Sequence, residues 1–588
     1  MGQPHGRIMQ LVGGALLATI LVAGCGGETP TSSSERSESS ALGTLYHNGT
    51  LLTMANSEPT VAEALVEQNG EIVFVGPLTE ARALAGDDVV EFDLAGATLM
   101  PGFIEPHLHP SLAAVMLENE IIAPYDWTLP SGIKYGVSGE ENYRDRVTQS
   151  IDENANPDEL YLIWGFHQLW HGSLSKEVLN QLAGEQPVGI IHRSFHEIYL
   201  NDAAISLLGI AREDFAGNSH VDWDKGHFYE AGWLELVPIM APILLDPEKY
   251  LSGLATMTSL LRMNGITTIA EPGFPSANFD AELAMLKSEM ATNPPYDVYL
   301  IPNGTQLYAM QGGNVEAMEF MEGLASSDQH NTENIHFLPK QVKLFADGAI
   351  YSQLMQMKDG YIDGHEGEWM TPLELFNEQI ELYWRNDYKI HVHANGDLGQ
   401  QMVIDSLESL QANSPREDHR LTLHHMGYFT EDMAQEMSEL GMEASLNPYY
   451  LWALADKYAE FGLGPERAEN LVALRLLVER GIPVSFHSDF SMAPAEPLTL
   501  AWTAVNRMTA EGTLMSQDQR VSIYDALKAI TIDAARSLNL ETEIGSLEEG
   551  KVANFTILGA NPLEHEASQL KDIEVRGVVY RGVLHRVH

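Results

Sequence analysis

Cysteine and basic side chains are both scarce in this sequence of 588 residues. Because Cys25 is the single cysteine, no disulfide can form within the chain. Lysine and arginine together number 33 against 83 acidic residues, so the formal net charge is −50. A negative field of that size disfavours partners such as nucleic acid and anionic membrane surfaces. The remaining composition is ordinary for a globular protein, and the length suffices for one large core and a smaller one.

The N-terminus has an apolar run, residues 8–22 after Arg7, that is too short to span a bilayer comfortably. The run ends in the letters VAGC, and this pattern resembles a bacterial lipoprotein signal. The resemblance implies removal of residues 1–24 and a lipid on Cys25. The Ser/Gly-rich composition of residues 25–40 predicts a tether that need not fold. We therefore expect a lipid-anchored protein on the periplasmic side of a bacterial cell envelope, with the outer membrane favoured and no other membrane contact. A plain signal peptide with an incidental cysteine is the alternative.

Both ends of the remaining chain carry short runs of alternating apolar residues, punctuated by Asn-Gly and glycine. Such runs are typical of strands joined by tight turns. We therefore predict that residues 41–100 and 541–588 combine into one small composite β-sandwich domain.

Residues 101–540 alternate strand-like and helix-like segments, which favours a parallel sheet with helices between its strands. Eight strands are predicted, at 101–108, 267–271, 297–302, 340–346, 388–393, 420–425, 443–447 and 483–488. Eight such units predict an α/β fold of the (β/α)8 TIM-barrel class, whose active site lies at the C-terminal strand ends. An open doubly wound sheet is the alternative. The segment at about 111–250 is too long for an ordinary connection and is predicted to be a large subdomain inserted after the first strand.

The first predicted barrel strand ends in PGFIEPHLHP, with His107 and His109 two residues apart. In a strand, residues i and i+2 share one face, so the two imidazoles can bind one divalent metal ion. Later strands add polar residues near their C-terminal ends: Lys343, His391, His393, His424, His425, His487 and Asp489. Because His424 and His425 are adjacent, strand alternation predicts that only one of them enters the barrel.

This set of side chains suits metal-assisted hydrolysis. Neutral imidazoles and a carboxylate suit Zn²⁺ and related ions, which activate water and polarise a carbonyl group. A carboxylate beside that water can take its proton and pass it to the leaving group. A lysine ammonium would repel the metal, whereas a lysine carbamylated by carbon dioxide is an anionic oxygen ligand.

At this point the sequence resembles the amidohydrolase superfamily, in particular its branch called amidohydrolase family 3 or YtcJ-like, over about residues 41–585. The segments PGFIEPHLH, VKLFADG, HVHANGD, LTLHHMG and HSDFSM are similar to its metal motifs. The resemblance implies one or two divalent ions, with Zn²⁺ expected, and a carbamylated lysine. It implies these metal ligands: His107, His109, Lys343, His393, His425 and Asp489. His424 is then expected to face the surrounding helices.

The inserted segment supplies candidate substrate-binding residues. HRSFHEIYLND resembles a segment of the same family branch and marks His196, and the glutamate of GHFYEAGW, Glu230, also fits that branch. His167 lies in an aromatic stretch of the insertion that could line the active site.

The predicted function is metal-dependent hydrolysis of a non-peptide C–N bond, most simply an amide, in a small-molecule substrate. A metal-activated water attacks the carbonyl and Asp489 carries the proton. Two alternatives stay open: an esterase or lactonase that uses the same metal site, and an inactive lipid-anchored binding protein. The sequence leaves the oligomeric state open, a homo-oligomer included.

Overall fold

A computed structural model describes residues 43–154 and 156–587 of the chain. The predicted signal segment, the tether and Cys25 therefore lie outside the described residues. Within the part that is described, no helix combines the length and the apolar character needed to cross a bilayer.

The strands are numbered in chain order. They are β1 Thr44–Leu52, β2 Val61–Gln68, β3 Glu71–Gly76, β4 Val90–Asp93, β5 Thr98–Pro101, β6 Phe103–Glu105, β7 Glu120–Ile121, β8 Trp127–Leu129, β9 Gly132–Lys134, β10 Tyr161–Phe166, β11 Val188–His192, β12 Glu197–Leu200, β13 Val221–Asp222, β14 His227–Tyr229, β15 Ile266–Phe274, β16 Asp297–Pro302, β17 Ile335–Phe337, β18 Gln341–Phe345, β19 Lys389–Ala394, β20 Thr422–His425, β21 Glu443–Leu446, β22 Val484–Phe486, β23 Phe555–Leu558, β24 Val575–Tyr580 and β25 Val583–Arg586.

The α-helices are numbered in the same way. They are α1 Leu78–Ala85, α2 Pro110–Leu117, α3 Glu140–Asn154, α4 Gln168–His171, α5 Lys176–Ala183, α6 Asp202–Leu208, α7 Ala231–Leu244, α8 Pro247–Met263, α9 Phe279–Met290, α10 Gly304–Gln311, α11 Asn314–Leu324, α12 Leu373–Arg385, α13 Asp397–Asn413, α14 Glu431–Leu440, α15 Tyr449–Lys457, α16 Pro465–Ala468, α17 Leu474–Val478, α18 Pro497–Asn506, α19 Ile523–Ala529 and α20 Ile532–Ser537.

Two parallel sheets hold the eight strands predicted for the centre of the chain. One sheet has the order β17-β16-β15-β6 and the other β18-β19-β20-β21-β22. Strand β17 is an addition that the sequence pattern did not predict. Strands β15 and β19 are buried along their whole length, as expected for parallel strands covered on both faces. The first central strand starts at Phe103 rather than at 101, because Pro101 belongs to β5 and pairs with Phe555.

Local sequence explains how the helices between these strands begin and end. The Asn303 side chain accepts the Gln306 amide at the start of α10, and the Thr430 hydroxyl accepts the Met433 amide at the start of α14. Gly441 ends α14 with a φ of 72°, a left-handed conformation that glycine adopts without strain. The caps at Asn303 and Thr430 fix where a helix begins after β16 and β20, and Gly441 fixes where the chain turns back toward β21.

Strands from both terminal regions join one eight-stranded sheet. Its order is β25-β24-β23-β5-β1-β2-β3, and β4 pairs with β1. The junction between the two regions is the antiparallel pair of β23 and β5. Tyr46, Leu99 and Phe555 lie in its buried apolar cluster.

The segment between β6 and β15 forms a six-stranded sheet of its own, with the order β13-β14-β12-β11-β10-β7. Helices α3 and α5 pack together beside this sheet, and Tyr143, Val147 and Leu179 belong to its apolar cluster. Helix α7 follows β14 directly, so the loop with Glu230 lies between this sheet and a strongly apolar helix.

Candidate metal centre

Three ligand atoms converge where β6 and β22 end. His107 Nε2 lies 3.2 Å from His109 Nε2, and Asp489 Oδ1 lies 3.5 Å and 3.1 Å from those two nitrogens. The loops that carry them are tied together by hydrogen bonds, since the Asp489 amide donates to His107 O and the His109 amide donates to Phe490 O. The spacing suits a single metal ion bound by two imidazoles and one carboxylate.

Glu271, within β15, holds the His109 ring in place. Its Oε1 lies 2.6 Å from His109 Nδ1, which leaves Nε2 to face the other two ligand atoms. Burial alone would lower the pKa of His109, but the carboxylates of Glu271 and Asp489 outweigh it and raise that pKa to about 10. In the metal-free protein both ring nitrogens of His109 therefore carry a proton, and metal binding must displace the proton on Nε2.

A chain of buried hydrogen bonds leads to His107 from the opposite end of the strands. His107 Nδ1 lies 2.8 Å from His424 Nδ1, and His424 Nε2 lies 2.9 Å from His391 Nδ1. His391 Nε2 in turn lies 2.8 Å from Gln341 Oε1. The far end is fixed, because Gln341 Nε2 donates to Leu538 O at 2.9 Å and so orients the amide.

These contacts determine which nitrogen of each ring carries the proton. Burial lowers the pKa of His107, His391 and His424 well below the usual value, so each is neutral with a single N–H. The Gln341 oxygen can only accept, so His391 donates from Nε2 and accepts at Nδ1. His424 then donates from Nε2 and accepts from His107 Nδ1. The remaining lone pair of His107 is on Nε2, the atom that faces His109 and Asp489.

His424 therefore points inward, which corrects the prediction that it faces the helices. The neighbouring His425 also points inward, with its ring centroid 4.7 Å from that of His107. Strand alternation fails here because His425 has a φ of 77° and so leaves the extended conformation. Glu230 and Asp489 also have left-handed backbones, with φ values of 41° and 54°. Such conformations are costly outside glycine and cluster at functional sites.

His425 and His487 form a second group of possible ligands together with His107. His425 Nδ1 lies 3.1 Å from the Tyr450 hydroxyl and 3.3 Å from His487 Nε2. Its Nε2 is buried and has no hydrogen-bond partner among the described residues. Tyr450 had not been predicted for the site; its sequence signal is the NPYY segment after β21.

Lys343 and His393 complete the predicted ligand set and lie in the same buried space. The His393 ring centroid is 4.3 Å from that of His425, and its Nε2 lies 3.0 Å from Asn395 Nδ2. Lys343 Nζ has no hydrogen-bond partner among the described residues, and burial lowers the pKa of Lys343 to about 7. Its charge also contributes to lowering the pKa values of His393 and His425. Both side chains adjoin the two ligand groups without belonging to either.

The candidate substrate-binding residues separate in space. His196 Nδ1 lies 3.0 Å from Glu230 Oε2, and both line a cavity of about 280 Å³ that His109 also lines. His167 does not line this cavity. Its Nδ1 instead accepts the Leu169 amide and caps α4. His196 and Glu230 thus share the space next to the ligand group, while a substrate contact of His167 stays a prediction.

The donor set fits a divalent ion. Two imidazole nitrogens whose opposite nitrogens are already bonded, together with one carboxylate oxygen, match the ligands that zinc and similar ions prefer. The partnerless nitrogens of His425 and Lys343 are buried polar atoms that a metal centre would satisfy.

Comparison with known proteins gives one family and several relatives. The profile of the Amidohydrolase family matches residues 90–585. The protein LONG AFTER FAR-RED 3 of Arabidopsis thaliana is 26% identical, over 88% of this chain and 87% of its own length. The N-substituted formamide deformylase of Arthrobacter pascens is 24% identical, over 89% and 94%. The putative amidohydrolase YtcJ of Bacillus subtilis (strain 168) is 24% identical, over 92% and 98%.

A solved structure of similar fold comes from Pyrococcus horikoshii OT3 and is described as an uncharacterized metal-dependent hydrolase. It is 21% identical, covers 89% of this chain and 99% of its own, and has a TM-score of 0.69. The likeness, with the alternating parallel strands and helices, indicates a TIM-barrel-type α/β fold.

Proposed function

The chain belongs to the amidohydrolase family, and from this premise we propose that it is a hydrolase of a non-peptide, amide-type C–N bond in a small molecule. The observation that carries the proposal is the convergence of His107 Nε2, His109 Nε2 and Asp489 Oδ1. The formamide deformylase relative supports C–N bond hydrolysis as the reaction class.

The proposed residues have two roles in hydrolysis, metal binding and proton transfer. A bound divalent ion, with Zn²⁺ the expected one, would acidify a water molecule and polarise the substrate carbonyl. His107 and His109 would hold it through Nε2, and His393 and His425 would complete the site. Asp489 takes the proton of the attacking water and returns it to the leaving nitrogen as the C–N bond breaks. The inward position of its Oδ1, 3.1 Å from His109 Nε2, supports this role.

Lys343 is proposed to act as a carbamate. Its neutral Nζ would form an N–C bond to carbon dioxide and release one proton to water, which would give an anionic oxygen ligand for a divalent ion. The buried, partnerless Nζ and the lowered pKa of Lys343 support the neutral amine that this step needs. Lys343→Ala should lose activity, and bicarbonate with a short carboxylic acid should restore part of it. Wild-type turnover and metal content in Lys343→Ala would exclude the role.

The function is tested with purified, metal-loaded protein and a panel of matched amides and esters. Hydrolysis of the amides, lost on chelation and recovered with Zn²⁺, is the expected result. Hydrolysis of the esters or lactones without hydrolysis of the matched amides would assign the site to C–O bonds instead. A protein that binds metal and turns over neither class would be a binding protein.

Two finer points of architecture belong to the same proposal. We take the eight central strands to close into a complete barrel, which is supported by the bridge between Asn303 and Lys343 and by the hydrogen bonds between the loops after β6 and β22. We also take the sheet shared by the terminal regions to be part of a small sandwich.

The proposed location is the periplasmic side of a bacterial envelope, through a lipid on Cys25. Two acyl chains on a glyceryl link would anchor the protein firmly, since each buried methylene contributes about 0.8 kcal/mol. A Cys25→Ser protein should leave the detergent phase in a phase-partition experiment. If it stays there, lipidation at Cys25 is wrong.

A further inference from the structure

Polar and apolar side chains line different parts of the cavity beside the ligand group. His109, His196 and Glu230 are polar residues of its lining. Helix α2 begins directly after His109 and helix α7 directly after Glu230, and apolar side chains further along the two helices, such as Leu112, Val115 and Val237, also line the cavity. The cavity therefore extends from the ligand group along the apolar faces of α2 and α7.

The carboxylate in the apolar part is not available to a ligand. Glu282 lines the cavity, but its two oxygens accept hydrogen bonds from the Ser111 hydroxyl and from the amides of Ser276, Ala277 and Asn278. Ser111 lies on α2, whereas the three amides directly precede α9, where the helix dipole also favours a negative charge. Glu282 thus offers no free charge for a charged substrate group to pair with.

Helix α7 is strongly apolar for a helix at a surface, since Glu235 is its one charged residue. It carries Trp233, Leu234 and Val237 toward the cavity, and Leu234 is 61% exposed at its mouth. Covering such a side chain with an apolar ligand group is favourable, whereas a charged group would lose its hydration there.

We propose that this cavity is a subsite for an uncharged apolar group of the substrate, an alkyl or aryl group. The whole cavity of about 280 Å³ has room for roughly nine non-hydrogen atoms at ~30 Å³ each, those of the scissile amide included. The inference rests on the proposed hydrolytic function, because it places the scissile amide at the His109 end and the apolar group between α2 and α7. An anionic substrate group is disfavoured by the carboxylate of Glu230, which lines the same cavity, and by the net charge of −50.

The test uses metal-loaded enzyme and amides whose alkyl group is lengthened one methylene at a time, on the nitrogen side or on the acyl side. The ratio kcat/KM should rise about fourfold per methylene, the factor that about 0.8 kcal/mol per buried methylene gives. The rise should stop when the cavity is full, and an ω-carboxylate on the chain should abolish the gain. If kcat/KM of the wild-type enzyme does not change with chain length, the inference is wrong, and no variant is needed to show it.

Helix α7 offers a matched pair of variants. Val237 is half-buried and lines the cavity, whereas Ile239 on the same helix is 38% exposed and does not line it. Val237→Trp should reduce kcat/KM for the long amides at least tenfold more than for the methyl amide. Ile239→Trp should leave the whole series unchanged. Equal effects of the two variants would overturn the inference.

Binding separates this inference from the proposed function. Calorimetry with metal-loaded Asp489→Asn measures the affinity for the same amides without turnover. If affinity rises with chain length but the wild type hydrolyses none of the amides, the subsite stands and the proposed function fails. If the amides are hydrolysed but neither affinity nor rate depends on chain length, the subsite is wrong and the function stands.

Discussion

Gln341 should control how tightly the protein binds its metal, although its side chain is separated from His107 by two further imidazoles. The variant Gln341→Leu keeps the size of this buried side chain but removes the acceptor for His391 Nε2 and the donor to Leu538 O. His391 can then carry its proton on either nitrogen, and so can His424 and His107 in turn. A fraction of the protein would hold a proton on His107 Nε2, the atom that must bind metal.

Gln341→Leu should have two effects, one on metal affinity and one on folding stability. Loss of a hydrogen-bonding partner that orients a metal ligand typically lowers metal affinity about 10–100-fold. Separately, the unpaired His391 N–H and Leu538 carbonyl each cost about 1–3 kcal/mol of folding stability. The variant is therefore expected to be both less stable and weaker in metal binding.

A matched control separates these effects. Gln186 is buried in the inserted segment, where it accepts the Asn156 amide and donates to Glu159 O. Gln186→Leu should lose comparable stability in denaturant unfolding without changing metal affinity. Affinity is measured by competition with a chromophoric chelator at fixed pH. If Gln341→Leu loses stability but binds Zn²⁺ as tightly as the wild type, the hydrogen-bond chain does not position His107.

Three further predictions address other parts of the molecule. Asp489→Asn should retain its fold and metal but lose kcat by about 10²–10⁴-fold, since it removes a general base; more than a tenth of wild-type kcat would exclude the proton-carrying role. Burial raises the pKa of Glu105 to about 8, so the folded state keeps a proton that the unfolded state loses above about pH 4.5. In metal-free protein, stability should therefore fall between those pH values by up to about 1.4 kcal/mol per pH unit, and Glu105→Gln should flatten that slope in urea titrations; parallel curves would contradict it. Glu443 binds Lys389 and Arg536 at the strand end opposite the site, so Glu443→Gln should cost up to about 3 kcal/mol of stability by thermal unfolding, with kcat unchanged.

The eight strand segments could be predicted from the sequence because each is a short apolar run and because helix-like segments separate most of them. The meeting of His107, His109 and Asp489 was predictable for a related reason. Residues at the C-terminal ends of parallel strands lie at one edge of the sheet, whatever the details of packing. Strand β17, Ile335–Phe337, escaped prediction because β18 follows it with no helix between them, so the alternation of strand and helix does not mark it as a separate strand.

The hydrogen-bond chain from Gln341 to His107 was not predictable from spacing. It depends on the rotation of imidazoles carried by different strands, and on a carbonyl at Leu538 that is distant in sequence. The orientation of His424 failed for a local reason, since the left-handed backbone at His425 ends the alternation one residue early. A pattern of residue types carries no signal for such a backbone change outside glycine.

The pairing of β5 with β23 has a consequence for biosynthesis. Pro101 and Phe555 lie about 450 positions apart, and ribosomes add roughly 5–20 residues per second. For on the order of 20–90 s, nascent β5 therefore has no β23 to pair with. A newly made chain must be shielded during that interval, because an unpaired apolar strand edge is a template for aggregation. A nascent chain that stalls before Phe555 cannot complete the sheet and should be a substrate for chaperones or proteases.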